Sequence, residues 1–318
     1  MKVLLTGAFG LVGTSTINKL VEQGHKVRCF DLKTRLNERT AQRHKNHIEL
    51  MWGDVRRPDD VAAAVHGQDV VIHLAFVLPS ASEDRPEWAR EINVGGTSNL
   101  LNAMKALSPP PKILFASSCV VFGQTQNQPP PRTVSDPVIP MDNYSHHKIE
   151  CEKLVKESGL DWGIFRLGGV IQMSLNSYSP KAFDFSPDSR IEFAHPRDVG
   201  LAIANAVSCE EVWGKTLLIG SGPGGQLYYR DLVGRLMNAV GIGMLPDRVY
   251  NSEPSLTYTD WMDTTESQRL LNYQQHSFED YVQELTALLG NKRYLISLFR
   301  APIRWWIVKQ SPYYRVRA

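Results

Sequence analysis

Lys2-Val3-Leu4-Leu5-Thr6-Gly7-Ala8-Phe9-Gly10-Leu11-Val12-Gly13 is the stretch on which the rest of the chain is read. Val3 to Thr6 carries no charge, as a strand buried on both faces requires. From Leu11 to Glu22, the residues Leu11, Ile17, Leu20 and Val21 recur at helical spacing. A strand, a glycine turn and a helix in that order form a cradle for a dinucleotide. Gly7 permits the tight turn, and Gly10 lets the backbone approach a pyrophosphate. Gly13 lets helix pack on strand, while the first helical N–H groups face the negative charge.

Working outward, His25 to Asp31 reads as a second strand ending in an acid. Asp31 stands 18 residues after Gly13, near the ~20 expected of a carboxylate that holds a ribose 2′-hydroxyl. Its charge repels a 2′-phosphate, so NAD is expected over NADP. Lys33 and Arg35, close by, are the residues that could instead receive that phosphate. Apolar runs follow at Ile48–Gly53, Asp69–Ala75 and Lys112–Ser118, with helical stretches such as Val61–Val65 and Trp88–Leu107 between them. This alternation predicts an α/β fold with a doubly wound parallel sheet.

Tyr144 and Lys148 stand four residues apart in Asp142-Asn143-Tyr144-Ser145-His146-His147-Lys148, so they share a helix face. A free phenol has a pKa near ~10 and is a poor base at neutral pH. A nearby ammonium favours the phenolate and brings that value toward the useful range. Ser118, at the end of the fifth apolar run, can hydrogen-bond the same substrate oxygen, in the crevice where open α/β sheets bind ligands.

These residues carry a resemblance. Gly7-x-x-Gly10-x-x-Gly13, Asp54-Val55, His73-Leu74-Ala75, Asn93-Val94-x-Gly96-Thr97, Ser117-Ser118-x-x-Val121-Phe122-Gly123 and Tyr144-x-x-x-Lys148 occur in one order. That set resembles the extended short-chain dehydrogenase/reductase family, the NAD-dependent epimerase/dehydratase group. The likeness runs over residues 1 to about 200, loosens to about 285 and is absent from the tail. It implies a Rossmann domain over 1–168 and a smaller α+β substrate lobe over 169–290 whose segments return to that domain, while the charge and apolar pattern of 291–318 reads as a basic amphipathic tail. It also implies that Asp54 and Val55 hold the adenine, and that Leu74, Ala75 and Phe76 line the cofactor path. Asn93 would sit close behind the site, and Phe9, Leu11, Ser117 and Leu167 would complete the cofactor contacts together with Tyr144 and Lys148. Ser118, Tyr144 and Lys148 would be catalytic, Ser118 because it lies five residues before Gly123.

Departures from the family pattern bear on the substrate. Members acting on nucleotide sugars carry Arg-x-x-Asn after the catalytic helix, whereas here Arg166-Leu167-Gly168-Gly169 puts Gly169 at the Asn position. Ile191 stands where a later motif has a phosphate-reaching arginine, with Arg190 and Arg197 as possible substitutes. A weakly polar alcohol or ketone is therefore the expected small-molecule substrate, oxidised or reduced by an NAD-linked enzyme. Epimerase or dehydratase chemistry on a nucleotide sugar is the alternative. A dinucleotide-sensing binding protein without turnover is the reading from a different class, and it leaves Ser118, Tyr144 and Lys148 without a purpose.

The 318 residues suffice for one α/β domain with a lobe, and a net charge of +2 gives no reason to expect nucleic acid. Cys29, Cys119, Cys151 and Cys209 show no paired spacing, and the N-terminus enters the first strand without a leader. A cytoplasmic protein is expected, and a homodimer. No metal is expected: His146 and His147 point different ways on a helix, one toward the substrate mouth and one to solvent. His44 and His47 lack a carboxylate or Cys partner. Gln128–Arg132 reads as a stiff wall of the site, and Gly220–Gly225 as the end of the strand Thr216–Ile219. Helices are expected over Tyr229–Val240, up to Leu271, and from Ser277 to Leu289. Tyr228, Tyr229, Tyr258 and Trp261 either line an apolar pocket or belong to the core, with core favoured. No acid follows Glu284, while Lys292, Arg293, Arg300, Arg304, Lys309, Arg315 and Arg317 are interleaved with apolar residues. Such a tail either packs on its own domain or a second subunit, or touches an anionic membrane surface.

Overall fold

The computed structural model describes residues 1–171, 180–253 and 259–314; Tyr258, Arg315 and Arg317 lie outside them. Its strands are β1 (Lys2–Thr6), β2 (Lys26–Asp31), β3 (Ile48–Trp52), β4 (Val70–His73), β5 (Lys112–Ser118), β6 (Trp162–Leu167), β7 (Arg190–Glu192), β8 (Lys215–Ile219) and β9 (Gln226–Tyr228). The main sheet is parallel throughout, in the order β3-β2-β1-β4-β5-β6-β8. Its direction of growth reverses between β1 and β4, the switch point at which open sheets leave a crevice.

The uncharged run of β1 has a packing reason. Val3 and Leu5 face one side of the sheet, with Val70 and Ile72 of β4, and join the core under the first helix, Leu11–Glu22. Leu4 and Val71 face the other side, with Phe115 of β5. Both faces are covered, so side-chain alternation brings no polar residue to either. The predicted helix over Trp88–Leu107 is instead three pieces: Pro86–Arg90, a π turn at Glu91–Gly95, and Gly96–Lys105. A Cβ at Gly96 would come 2.7 Å from Val55 Cγ2, so the close approach there requires glycine.

Beyond β6 the chain builds the lobe. β7 and β9 pair antiparallel, while β8 returns to the main sheet beside β6. The Gly220–Gly225 segment ends β8 and leads into β9, as expected. Helices form at Tyr229–Ala239, Thr265–Leu271 and Phe278–Leu289. Ser277 caps the last of these by accepting from Asp280 N at 3.2 Å, while the Asp280 carboxylate accepts from Ser277 N at 2.7 Å. Ile191, Phe193, Tyr229, Leu232, Phe278 and Tyr281 form the lobe core. The tail forms helices Lys292–Leu298 and Arg300–Lys309, and Ile303, Ile307 and Val308 pack them onto that core. Among the described residues, no helix is long and apolar enough to cross a membrane.

Candidate active site

A single cavity of about 740 Å³ runs from the Gly7–Gly13 turn to the lobe. At its first end the wall is largely backbone. A Cβ at Gly13 would lie 2.4 Å from the Ala8 carbonyl oxygen and 2.5 Å from that of Gly7, so helix and turn can touch only through glycine. Gly7, at φ +64°, brings the turn against the backbone of Leu74 and Ala75. Gly10 N donates to the Gly7 carbonyl at 3.3 Å, and a Cβ at Gly10 would meet only that oxygen, at an ordinary 3.5 Å. The first helix has no side-chain cap and no acid in its first turn. Its N–H groups and dipole are therefore offered to an anion, which fits a pyrophosphate.

The Asp31 carboxylate accepts from Phe9 N at 2.9 Å and Leu32 N at 2.8 Å, and from Asn37 Nδ2 at 3.1 Å. Burial raises its pKa, opposed by the two backbone donors. Asn37, which sequence reading did not single out, lines the cavity beside it. Lys33 pairs with Glu38 at 3.8 Å, and neither Lys33 nor Arg35 lines the cavity. Asp54 and Val55 do line it, with Asp54 clamped by Arg56 at 2.5 Å. Leu11, Leu74, Ala75, Phe76, Ser117 and Leu167 also reach it. Phe9 does not: it is buried against Trp52, and its contribution is the N–H to Asp31.

Tyr144 and Ser118 meet at the middle of the cavity, at the C-terminal edge of β5. The helix Asn143–Lys156 that carries Tyr144 is capped by Asp142, which accepts from Ser145 N at 2.7 Å. Glu83 adds a second clamp, accepting from Asn143 Nδ2 at 2.8 Å and Tyr144 N at 3.3 Å. Asp142 was not singled out from the sequence, although an Asp ahead of a helical stretch is a cap signal. Glu83 leaves no such signal, because the partners are some sixty positions apart.

Lys148 departs from expectation. Its Nζ donates to the Ala116 carbonyl at 2.6 Å and sits 3.4 Å from the centre of the Phe76 ring, behind the cavity wall. Phe76 in turn meets Tyr144 edge-on at 5.6 Å. The ammonium thus contacts the Phe76 face and a carbonyl most closely, with the centre of the Tyr144 ring farther off at 5.6 Å. Burial pushes the Tyr144 phenol up from its ordinary value, opposed by a hydrogen bond with Ser118. This corrects the expected lowering. Burial also brings Lys148 down to about 7, against the opposing pull of Cys151 and Glu152.

The groups behind the site are polar and satisfied. Asn93, in the π turn and fully buried, accepts from Val77 N at 2.7 Å and donates to His147 Nδ1 at 3.2 Å. It braces the wall and does not reach the cavity. His147 is therefore a buried support rather than part of the substrate mouth, and His146 is exposed. Both serines line the cavity, but the Ser117 hydroxyl donates to Glu152 at 2.6 Å, which leaves the Ser118 hydroxyl for a substrate oxygen. For Glu152, burial favours protonation, but Arg166 at 2.8 Å keeps the carboxyl below its ordinary range. The Cys119 thiol is pushed up to about 11 by burial, so it stays protonated and packs.

The second end of the cavity is side chain. Val77, Trp88, Ile171, Phe185, Ile191 and Tyr229 are among its lining. Gly169 faces it where the family places Asn. No Lys or Arg lines the cavity among the described residues, and its only acids, Asp31 and Asp54, are at the glycine end. Arg190 is spent on Asp260, at 2.6 and 3.0 Å, and on the carbonyls of Thr125, Gln126 and Gln128. Arg197 pairs with Glu284. The Gln128–Arg132 loop is no wall of this cavity: Arg132 donates to the Trp261 carbonyl at 2.7 Å and ties the loop to the lobe.

Residues 3–198 match the model of the NAD dependent epimerase/dehydratase family. The chain belongs to that family. That family is described by its dependence on NAD, and the glycine turn fits this cofactor. It is 30% identical over 166 residues to a 3 beta-hydroxysteroid dehydrogenase/Delta 5-->4-isomerase of Mycobacterium tuberculosis, covering 50% of this chain and 44% of that protein. It is 32% identical over 157 residues to a UDP-glucose 4-epimerase of Halalkalibacterium halodurans, covering 48% and 45%. The chain thus spans about half the length of the curated relatives it matches. In fold it is similar to the UDP-glucose-4-epimerase of Stenotrophomonas maltophila, solved with bound NAD and formylated UDP-arabinopyranose. There the TM-score is 0.77 at 20% identity, over 90% of this chain and 97% of that one.

Among the described residues, one group brings three possible metal ligands within 4.8 Å: His195, Asp198 and His276. Its atoms are engaged except His195 Nε2, which is buried 3.6 Å from Glu284 without a hydrogen bond. His276 Nδ1 bonds Asp198 Oδ1 at 2.5 Å, Asp198 Oδ2 accepts from Gln275 N and His276 N, and His195 Nδ1 accepts from Arg197 N. The two rings stack at 4.6 Å instead of converging on a point. The cluster latches the helix Pro196–Ala206 to the segment entering Phe278–Leu289.

Proposed function

We propose that the protein interconverts a secondary alcohol and a ketone on an apolar substrate. The observation that carries this is the substrate end of the cavity, where the described lining residues include Ile171, Phe185, Ile191 and Tyr229 and, among the described residues, no Lys or Arg. A diphosphate buried there would lack the guanidinium or ammonium that anion recognition uses. Dehydration needs a further acid or base at the same end, and the lining acids are at the other.

Ser118 and Tyr144 hold the substrate oxygen between them. In the oxidising direction Tyr144 accepts the hydroxyl proton, and in reduction it returns one. Oxidation therefore uses the phenolate, formed when the phenol gives its own proton to solvent, and the buried Lys148 ammonium behind Phe76 favours that charge from a distance without exchanging the proton. NAD, when bound at the glycine turn, supplies the hydride acceptor or donor. The catalytic set Ser118, Tyr144 and Lys148 is supported by convergence of the first two on the cavity and by adjacency of the third. Four free thiols, three of them buried, support a reducing, cytosolic setting.

The test is NADH formation, followed by absorbance, across a panel of apolar secondary alcohols and of uridine diphosphate sugars. Net NADH with the alcohols alone is expected. Conversion of a nucleotide sugar with no net NADH would overturn the proposal in favour of epimerisation.

A further inference from the structure

The tail has two faces, and the lobe covers only one. Ile303, Ile307 and Val308 pack inward, Ser311 Oγ donates to the Val249 carbonyl, and Tyr313 OH donates to Asp184 at 3.1 Å. A Cβ at Gly241 would lie 2.5 Å from the Arg293 carbonyl, so the tail is seated closely. On the other face Leu295 is 64% exposed, Leu298 76%, Phe299 58% and Trp305 61%. Leu295, Leu298 and Phe299 are spaced by three and four on the first short helix and its end, and Trp305 and Trp306 add exposed rings on the second.

The charge around these residues has one sign. Residues 291–318 hold seven Lys or Arg and no acid. Lys309 Nζ lies 3.6 Å above the Trp305 ring, and Arg300 and Arg304 line a cleft with Ile242 and Gly243. Aromatic residues flanked by cations suit the headgroup level of an anionic bilayer, where rings insert and cations meet phosphates. A second copy suits it poorly: a two-fold interface places the patch against itself, cation facing cation.

We propose that this outward face of the tail docks the substrate lobe onto an anionic lipid surface, with headgroup phosphates at Arg300 and Arg304. Ile191, Tyr229 and Leu232 belong both to the lobe core on which the tail sits and to the cavity wall. An apolar substrate dissolved in the bilayer would thus have a short path inward, a consequence that rests on the function proposed above. The docking itself does not.

The test is co-sedimentation of the full chain with phosphatidylcholine vesicles, with and without phosphatidylserine. Three proteins are compared: the native chain, Arg300→Glu/Lys309→Glu, and Leu298→Ser/Trp305→Ser. All four substituted residues are exposed, and NADH binding reports that each variant folds. The native chain is expected to pellet with the phosphatidylserine vesicles and to be released by salt. Each double variant should lose about tenfold or more in vesicle affinity. Absence of pelleting, or equal pelleting of all three folded proteins, overturns the proposal. So does a native dimer in sedimentation velocity that Leu298→Ser/Trp305→Ser dissociates, since a second copy would then occupy the face. None of these readouts uses turnover, so failure of the redox reading leaves them interpretable.

Discussion

At the Gly7–Gly13 end the cavity wall is main chain, held by glycines that have no room for a Cβ; at the Phe185–Leu232 end it is side chain, held by packing. The first end recognises a feature shared by every dinucleotide, a pyrophosphate between two riboses, and so it tolerates little change. The second end faces whatever the enzyme acts on. There Gly169 and Ile191 replace polar family positions, and the arginines nearby, Arg190 and Arg197, are turned to Asp260 and Glu284. One region is constrained by a cofactor, the other by a substrate, and the two meet at Tyr144 and Ser118.

The largest effect is expected where they meet. Tyr144→Phe should lower kcat by about 10²-fold or more while NADH binding, read by fluorescence, stays within a few-fold. Retained turnover would remove Tyr144 from proton transfer. Next, Ile191→Arg tests the lobe end alone: KM for an apolar alcohol should rise by about tenfold or more and binding of uridine diphosphate should appear. Unchanged selectivity in a folded variant would mean that Ile191 does not set the substrate class. Gly13→Ala tests the cofactor end alone. Its Cβ would meet two carbonyl oxygens, so NADH affinity should fall by about tenfold, with no shift in preference among alcohols.

A separate effect, on stability and not on activity, concerns Glu192, buried where the lobe joins the sheet and accepting from Met262 N at 3.0 Å. Burial raises its carboxyl from 4.5 to about 8, opposed by hydrogen bonds from Met262 and Gln226. Between those values the folded protein binds a proton that the unfolded chain does not. Its contribution to stability is therefore complete below about 4.5 and is lost as pH rises through about 8. Relative to Glu192→Gln, the native protein should lose stability across that window, on the order of a few kcal/mol in urea unfolding. A constant difference between the two proteins would show that Glu192 is ionised throughout.

Much of the cofactor end was legible. Periodicity gave β1, the first helix and β2, and the family motifs led to Asp54, Val55, Leu74 and Ala75, all on the cavity wall. Tyr144 with Ser118 was legible too, because a helix face and a strand end are local facts. Lys148 shows the limit. Spacing of i and i+4 puts it beside Tyr144 on the helix, yet its head is taken by Ala116 and Phe76, which come from β5 and the loop after β4. Glu83, Asn37 and the histidine latch left no sequence signal, since their partners are distant in the chain or belong to no motif. The π turn at Asn93 was missed because a 3.6-residue period does not register one extra residue per turn.

By itself, the amino-acid sequence determined the alternation of strands and helices, the glycine cradle and the acid at the end of β2. These follow from backbone sterics and from burial on both faces, and neither depends on distant partners. Only the tertiary structure decided which cations stay out of the cavity, which face of the tail is covered, and where the Lys148 charge rests. Those are set by competition between partners far apart in the chain, and burial magnifies the outcome of each.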